Sequence, residues 1–577
     1  MSLRAAAALF LCLSSTLAAQ VLVPPPPLPP SAPSDSASLS QAPAPGPYSI
    51  SGTIVSATTG APLDRADVAL ATVGGSQIAS TLTGETGTFR FDHLGAARYT
   101  LEASRRGYLT AGYQEHDQFE TAIVTGPGLD SQNIRFTLSP GAVVSGVVTS
   151  DSGEPIGGAR VTFYRQMHEN GESRTVVNRS ETTDDTGSYE FSRLRPGSYY
   201  ISVTATPWYA FHPNPKNDAN GNPLPADQQP HSPLDVAYPT TFYPNATDSA
   251  SATPIVLSPG DRIEANLSLH AVPAIHLQIR IPQPSGPGRG ISMPQLSTDV
   301  FGTEQSQPYS QVFMSGPPGN MIADIGGVAP GQYTLREYGR EGEVSGPTLD
   351  LTTSQTVEFT ASANTVDISG KLAMASGQHL PAGVTASLVP SGPAASGPVA
   401  SGPNRMFNNS DRVSADGSFD FHSVAPGTYE LEVYSSGRTL AVAQMAASGA
   451  EVQGSHFTVA GDAVLLAATL VSGSVTITGY AQSSGKAVGG AMILLVPRDP
   501  NASREIYRRD QSDSDGSFIL RRVIPGAYTL VAIQDGWTLD WAHPEVIAPY
   551  LARGLRLQIA DQQKTLTVSE PIAVQPR

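Results

Sequence analysis

The sequence predicts an all-β protein, a tandem array of about five β-sandwich modules, and three observations carry that prediction. A turn-and-strand phrase recurs, short apolar runs alternate with period two, and glycine (55) and proline (49) are abundant while charged residues make up only 15% of 577. Turn-rich, weakly charged composition favours many short strands over helices. A chain of this length exceeds one core, and repetition of a phrase means one module used several times.

The phrase begins with Gly87, Gly187, Gly417 or Gly516, each preceded by short polar residues and followed by two apolar residues in alternation, such as Phe89 and Phe91 or Tyr189 and Phe191. It ends on Tyr99, Tyr199, Tyr429 or Tyr528, twelve positions after the glycine in all four copies. A fifth copy keeps only the second half, Pro330, Gly331 and Tyr333. The first glycine suits a tight turn with positive φ. Pro196-Gly197, Pro426-Gly427 and Pro525-Gly526 suit the centre of a type II turn, with proline fixing φ and glycine left-handed. A tyrosine buried after that turn needs a partner for its hydroxyl, and a bond back across the corner, as in immunoglobulin-like sandwiches, supplies one.

Each module opens on a similar strand: Ile50 to Ile54, Val144 to Val148, Ile368 to Leu372, and Ile477 to Gly479. The expected modules are 48–139, 140–271, a degenerate third at 272–363, 364–471 and 472–577. They abut without flexible linkers, which predicts a semi-rigid rod. Ahead of them, residues 1–19 read as a secretory signal: Arg4 supplies the positive start, and a short apolar run precedes small residues for cleavage. Residues 20–47 form a proline-rich linker with no core to bury. The repeats Ser391-Gly-Pro393, Ser396-Gly-Pro398 and Ser401-Gly-Pro403 read as a hairpin loop.

Composition excludes several function classes. The one cysteine, Cys12, lies in the signal, so disulfides, cysteine-based zinc sites and a cysteine nucleophile are not expected after its removal. A net charge of −16 with four lysines and no basic run argues against nucleic acid. After signal removal no apolar stretch is long enough to span a membrane as a helix. Histidines such as His93, His168, His276, His422 and His543 show no repeated spacing, and no phosphate loop, metalloprotease helix or nucleophile elbow is present. No metal or cofactor is expected. Asp184-Asp185 and Asp513-Ser-Asp515 sit in glycine turns that supply too few oxygens for a calcium loop.

Together, the phrases Ser-Gly-x-Val, Gly-x-Pro-Ile-x-x-Ala-x-Val, Asp-x-x-Gly-x-Tyr-x-Phe and Pro-Gly-x-Tyr-x-Ile resemble the carboxypeptidase regulatory-like domain. The likeness is clearest in the first, second and fifth modules and weakest in the third. It implies a transthyretin-like seven-stranded sandwich, related to collagen-adhesin B-type repeats and to the carbohydrate-binding-like, starch-binding-like folds. The whole chain is similar to secreted bacterial proteins that carry this domain in tandem. That resemblance implies an exported, non-catalytic scaffold or adhesion protein of the cell envelope or extracellular space, with a protein or polysaccharide surface as partner. The adhesin repeats carry Lys–Asn cross-links, for which only Lys371 occupies a comparable place.

Candidate contact residues lie where the repeat is interrupted. The excursion at residues 205–250 of the second module gathers Trp208, Tyr209, Phe211, Tyr238, Phe242 and Tyr243 among Pro, Asn and Asp. Long loops on rigid scaffolds carry binding, and rings beside amides suit sugar faces. The bland alternative is that the rings pin the loop to its sandwich. Trp537 and Trp541, just before an expected short helix from Pro544 to Arg553, carry the same two readings.

Overall fold

Each copy of the opening strand lies between two partners, one antiparallel and one parallel. Tyr48–Ser56 pairs antiparallel with the phrase strand Thr88–Leu94 and parallel with Ile134–Leu138. The same arrangement recurs for Ala142–Ser150, Ile275–Ile281, Val366–Met374 and Val475–Ser483. A second sheet faces each of these, for example the one built on Asp67–Thr72 and Arg98–Ser104. This computed structural model describes residues 43–577 apart from 220, 282–293, 308–310, 317–320, 340–341, 359–365, 391–409, 425, 436–438, 500–501 and 561–562. The signal, most of the proline-rich linker and the Ser-Gly-Pro repeats lie outside the described residues.

Among the described residues, period-two alternation fills five separate sandwich cores. Ile54, Phe89 and Tyr99 anchor the first, and Val144, Phe191 and Tyr199 the second. Leu277, Ile325 and Tyr333 anchor the third, Ile368, Phe419 and Tyr429 the fourth, and Ile477, Phe518 and Tyr528 the fifth. The expected hydroxyl bond is present. Tyr99, Tyr199, Tyr333 and Tyr528 each donate to the carbonyl four residues upstream, at 3.1, 2.7, 2.7 and 2.8 Å.

The phrase glycines turn left-handed, with φ of 69° at Gly87, 73° at Gly187, 88° at Gly417 and 80° at Gly516. They also lie against the opening strand, whose amide donates to the glycine carbonyl, as Leu372 does to Gly417 at 2.8 Å. A Cβ at Gly417 would stand 2.3 Å from the Leu372 oxygen. The Ser-Gly of the opening strand has its own cause: Gly370 pairs with Phe419 and Gly479 with Phe518, and each ring lies where a side chain would be.

Two expectations need correction. Gly197, Gly427 and Gly526 have φ of 149°, 158° and 156°, far from the value near +80° of a type II turn, because each already begins its strand, as Gly427–Tyr434 shows. The rod is overturned by contacts between the first and fifth sandwiches. Gln511 Nε2 donates to Gln114 O and Thr121 Oγ1, both at 2.7 Å, Ser514 N donates to Ala122 O at 2.9 Å, and Arg98 pairs with Asp513 at 2.5 Å. The second sandwich also touches the fifth, through Glu172 paired with Arg504 at 2.5 Å. All these residues belong to one compact unit, Pro43–Arg577.

Candidate functional site

The excursion leaves the second sandwich after Gly197–Thr204 and returns along its edge, where Thr241–Phe242 pairs with Ser202–Val203. Between these points Val236–Ala237 pairs with Val272–Pro273, and buried Gln229 ties Lys216 and Leu224 together through its amide. The loop thus has a fixed path despite having little regular structure.

The structure divides the six aromatic residues. Phe242 is buried with Tyr164 and Val300, and Phe301 of the third sandwich packs edge-on to it at 5.7 Å. Tyr238 and Tyr243 pack on the second core, and burial, with Tyr209 next to it, pushes the Tyr238 phenol up to about 12. These three pin the loop. Trp208 and Phe211 do not: they are 81% and 58% exposed, with Tyr209 edge-on to Trp208 at 5.7 Å. Trp537 and Trp541 offer no face to a ligand, being 6% and 4% exposed. Trp537 stacks on His116 of the first sandwich at 5.0 Å, and Arg509 lies over the Trp541 ring. Trp537 holds the fifth sandwich against the first, and Trp541 lies against Gly171 of the second, beside the helix Pro544–Leu551.

Beneath the exposed rings runs a buried polar chain that sequence reasoning missed. His212 Nδ1 lies 2.7 Å from one oxygen of Asp235, and the other oxygen lies 2.8 Å from His276 Nε2. His276 Nδ1 faces Asp324 at 3.2 Å, and Gln278 donates to the second Asp324 oxygen at 3.1 Å and to Leu224 O at 3.0 Å. Gln311 donates to His212 O at 3.3 Å, while His212 Nε2 is buried without a partner. Both nitrogens of His276 therefore face carboxylates, as an imidazolium requires. Burial opposes that cation, but the hydrogen bonds and charges of Asp324 and Asp235 outweigh it and raise the proton affinity above the ordinary histidine range.

Alternation along Ile275–Ile281 explains why this chain was hidden. Ile275, Leu277 and Ile279 fill the third core, so His276 and Gln278 point outward, as Asp324 does between Ala323 and Ile325. Local pattern assigns those positions to solvent. The excursion covers them instead.

The aspartates of the glycine turns are engaged in turn chemistry. Asp184 accepts from Thr186 N and Ser188 N, both at 2.9 Å, and Asp513 accepts from Ala122 N of the first sandwich at 3.2 Å. Among the described residues no group of three acidic, histidine or cysteine side chains is placed to hold a metal ion. Lys371 is exposed.

A model of one domain family matches residues 49–142 and 143–213. The family is the carboxypeptidase regulatory-like domain, matched in two copies. The second match ends just past Phe211, so most of the excursion lies outside the carboxypeptidase regulatory-like segments. No curated protein matches the chain. Among solved structures, the Bacillus anthracis TIE protein is 11% identical over 54% of this chain and 49% of its own, with a TM-score of 0.15. The chain thus spans about half the length of that protein. The shaft pilin SpaA of Lactobacillus rhamnosus GG is 10% identical over 39% of this chain and 97% of the pilin, with a TM-score of 0.18. A minor pilin of Streptococcus agalactiae is 13% identical over 42% of this chain and 100% of the pilin, also with a TM-score of 0.18. No helix among the described residues is long and apolar enough to cross a membrane.

Proposed function

We propose that the chain is an exported, non-catalytic scaffold or adhesion protein of the cell envelope or extracellular space, and that it meets its partner through Trp208, Tyr209 and Phe211. The observation that carries this reading is the contrast within one loop. Phe242 and Tyr238 are buried and the His212–Asp235–His276–Asp324 chain fixes the loop from below, yet two large apolar rings remain exposed above it. Exposed rings on an anchored loop contribute contact area at little ordering cost. Binding of the purified chain to isolated envelopes, compared with the Trp208→Ala and Phe211→Ala variants, tests the reading.

A second reading is carbohydrate binding by the same rings, favoured by the edge-on Trp208–Tyr209 pair, which presents an indole face beside a phenol. A glycan array with the parent and the Trp208→Ala variant separates the two. Saturable glycan signal lost in the variant selects the sugar, and an empty array removes it.

A further inference from the structure

A concave surface lies where the first two sandwiches meet, apart from the exposed rings of Trp208 and Phe211. Residues 109–115 and Arg135 form one wall and Arg165 and Arg195 the other, around a cleft of about 440 Å³. Arg195 is tied across the gap to Glu115 at 3.1 Å, and the second Glu115 oxygen accepts from Gly112 N at 2.9 Å. The other two guanidinium groups are uncommitted. Arg165 Nε is buried without an acceptor, and neither Arg135 nor Arg165 forms an ion pair among the described residues.

That is unusual placement in a chain with 34 basic and 50 acidic residues, where carboxylates outnumber the cations available to them. Half-buried Glu120 lies beside Gly112, and burial together with Glu115 and Glu102 raises its proton affinity. Between the arginines the lining is hydroxyl-rich, with Thr110, Tyr113, Thr137 and Ser139.

We propose that this cleft binds a carboxylate-bearing saccharide, with Arg135 and Arg165 taking the carboxylate and the lining hydroxyls meeting those of the sugar. The planar guanidinium fork matches a carboxylate bidentately, and a charge-assisted pair is stronger than a neutral one. The volume suits a small oligosaccharide. An acidic peptide fits less well. The strand edge it would extend, Ala111–Gly112, is already capped, because Gly112 N is held by Glu115. The proposal is independent of Trp208 and Phe211.

Isothermal titration of the full chain with tetragalacturonate tests it. The parent is expected to bind saturably, Arg135→Ala to weaken binding roughly ten- to hundred-fold, and Arg135→Lys to recover only part of it. Trp208→Ala should leave the affinity unchanged. Arg135 is exposed, so its variants are expected to keep the parent's melting temperature and carry the test if Arg165→Ala fails to fold. No saturable binding by the parent overturns the proposal. So does an unchanged affinity in Arg135→Ala, or equal affinity for the methyl-esterified tetrasaccharide or for an oligoglutamate of the same charge.

Discussion

His276 shows how one buried ring can control a loop. It holds Asp235 of the excursion and Asp324 of the third sandwich at once, and it can donate to both only while charged. Its folded-state proton affinity is raised, so the stability it contributes is complete below about pH 6.5 and is lost as pH climbs through the raised value. Hydrogen-exchange protection across residues 205–250 is therefore expected to be lower at pH 9 than at pH 6, with the step abolished in His276→Gln. Equal protection at both pH values would count against this role of His276. Glu505 supplies a second pH test. Burial, with Glu432 beside it, pushes its carboxyl up to about 9, and its Oε2 is buried without a partner. The parent is expected to lose stability steadily as pH rises from about 4.5 to about 9, whereas Glu505→Gln removes that slope. Melting curves of the two proteins across this range read the difference directly.

At the scale of elements, the repeated phrase is explained by contact between a turn and a strand. Gly417 is left-handed and pressed on Leu372, whereas Gly377 in the same sandwich is left-handed, at φ of 71°, with nothing near its missing side chain. Gly417→Ala is expected to cost about 2 kcal/mol or more, and Gly377→Ala only about 1 kcal/mol, the backbone share. Denaturant titration of both variants checks the ranking. Most of this element was legible in sequence, because tyrosine hydroxyl bonds, turn glycines and alternating cores are local consequences of spacing. The Pro-Gly turn was misread because the glycine opens a strand, a difference of φ that residue identity does not carry. The excursion was legible as a place but not in its working parts. Six aromatic residues look alike in sequence, and only the third sandwich, through Val300 and Phe301, decides that Phe242 is buried and Trp208 is not.

Across the whole molecule, contacts about 390 residues apart decide what adjacent sequence could not. Asp513 sits in a glycine turn like those of its counterparts, yet it accepts from Ala122 and pairs with Arg98 of the first sandwich. Asp513→Ala would leave the Ala122 amide without its acceptor, at about 1–3 kcal/mol. Exchange protection at Ala122 should then fall by roughly tenfold or more, while Ile54 in the first core is unaffected. The same contact buries Trp537 against His116, while Trp208 and Phe211 are the most exposed large rings among the described residues. The most direct test of that assignment is binding of the full chain to envelopes of the producing cells, parent against a Trp208→Ala, Phe211→Ala double variant of unchanged melting temperature. The variant is expected to bind at least tenfold more weakly. Equal affinity of the two proteins would contradict it.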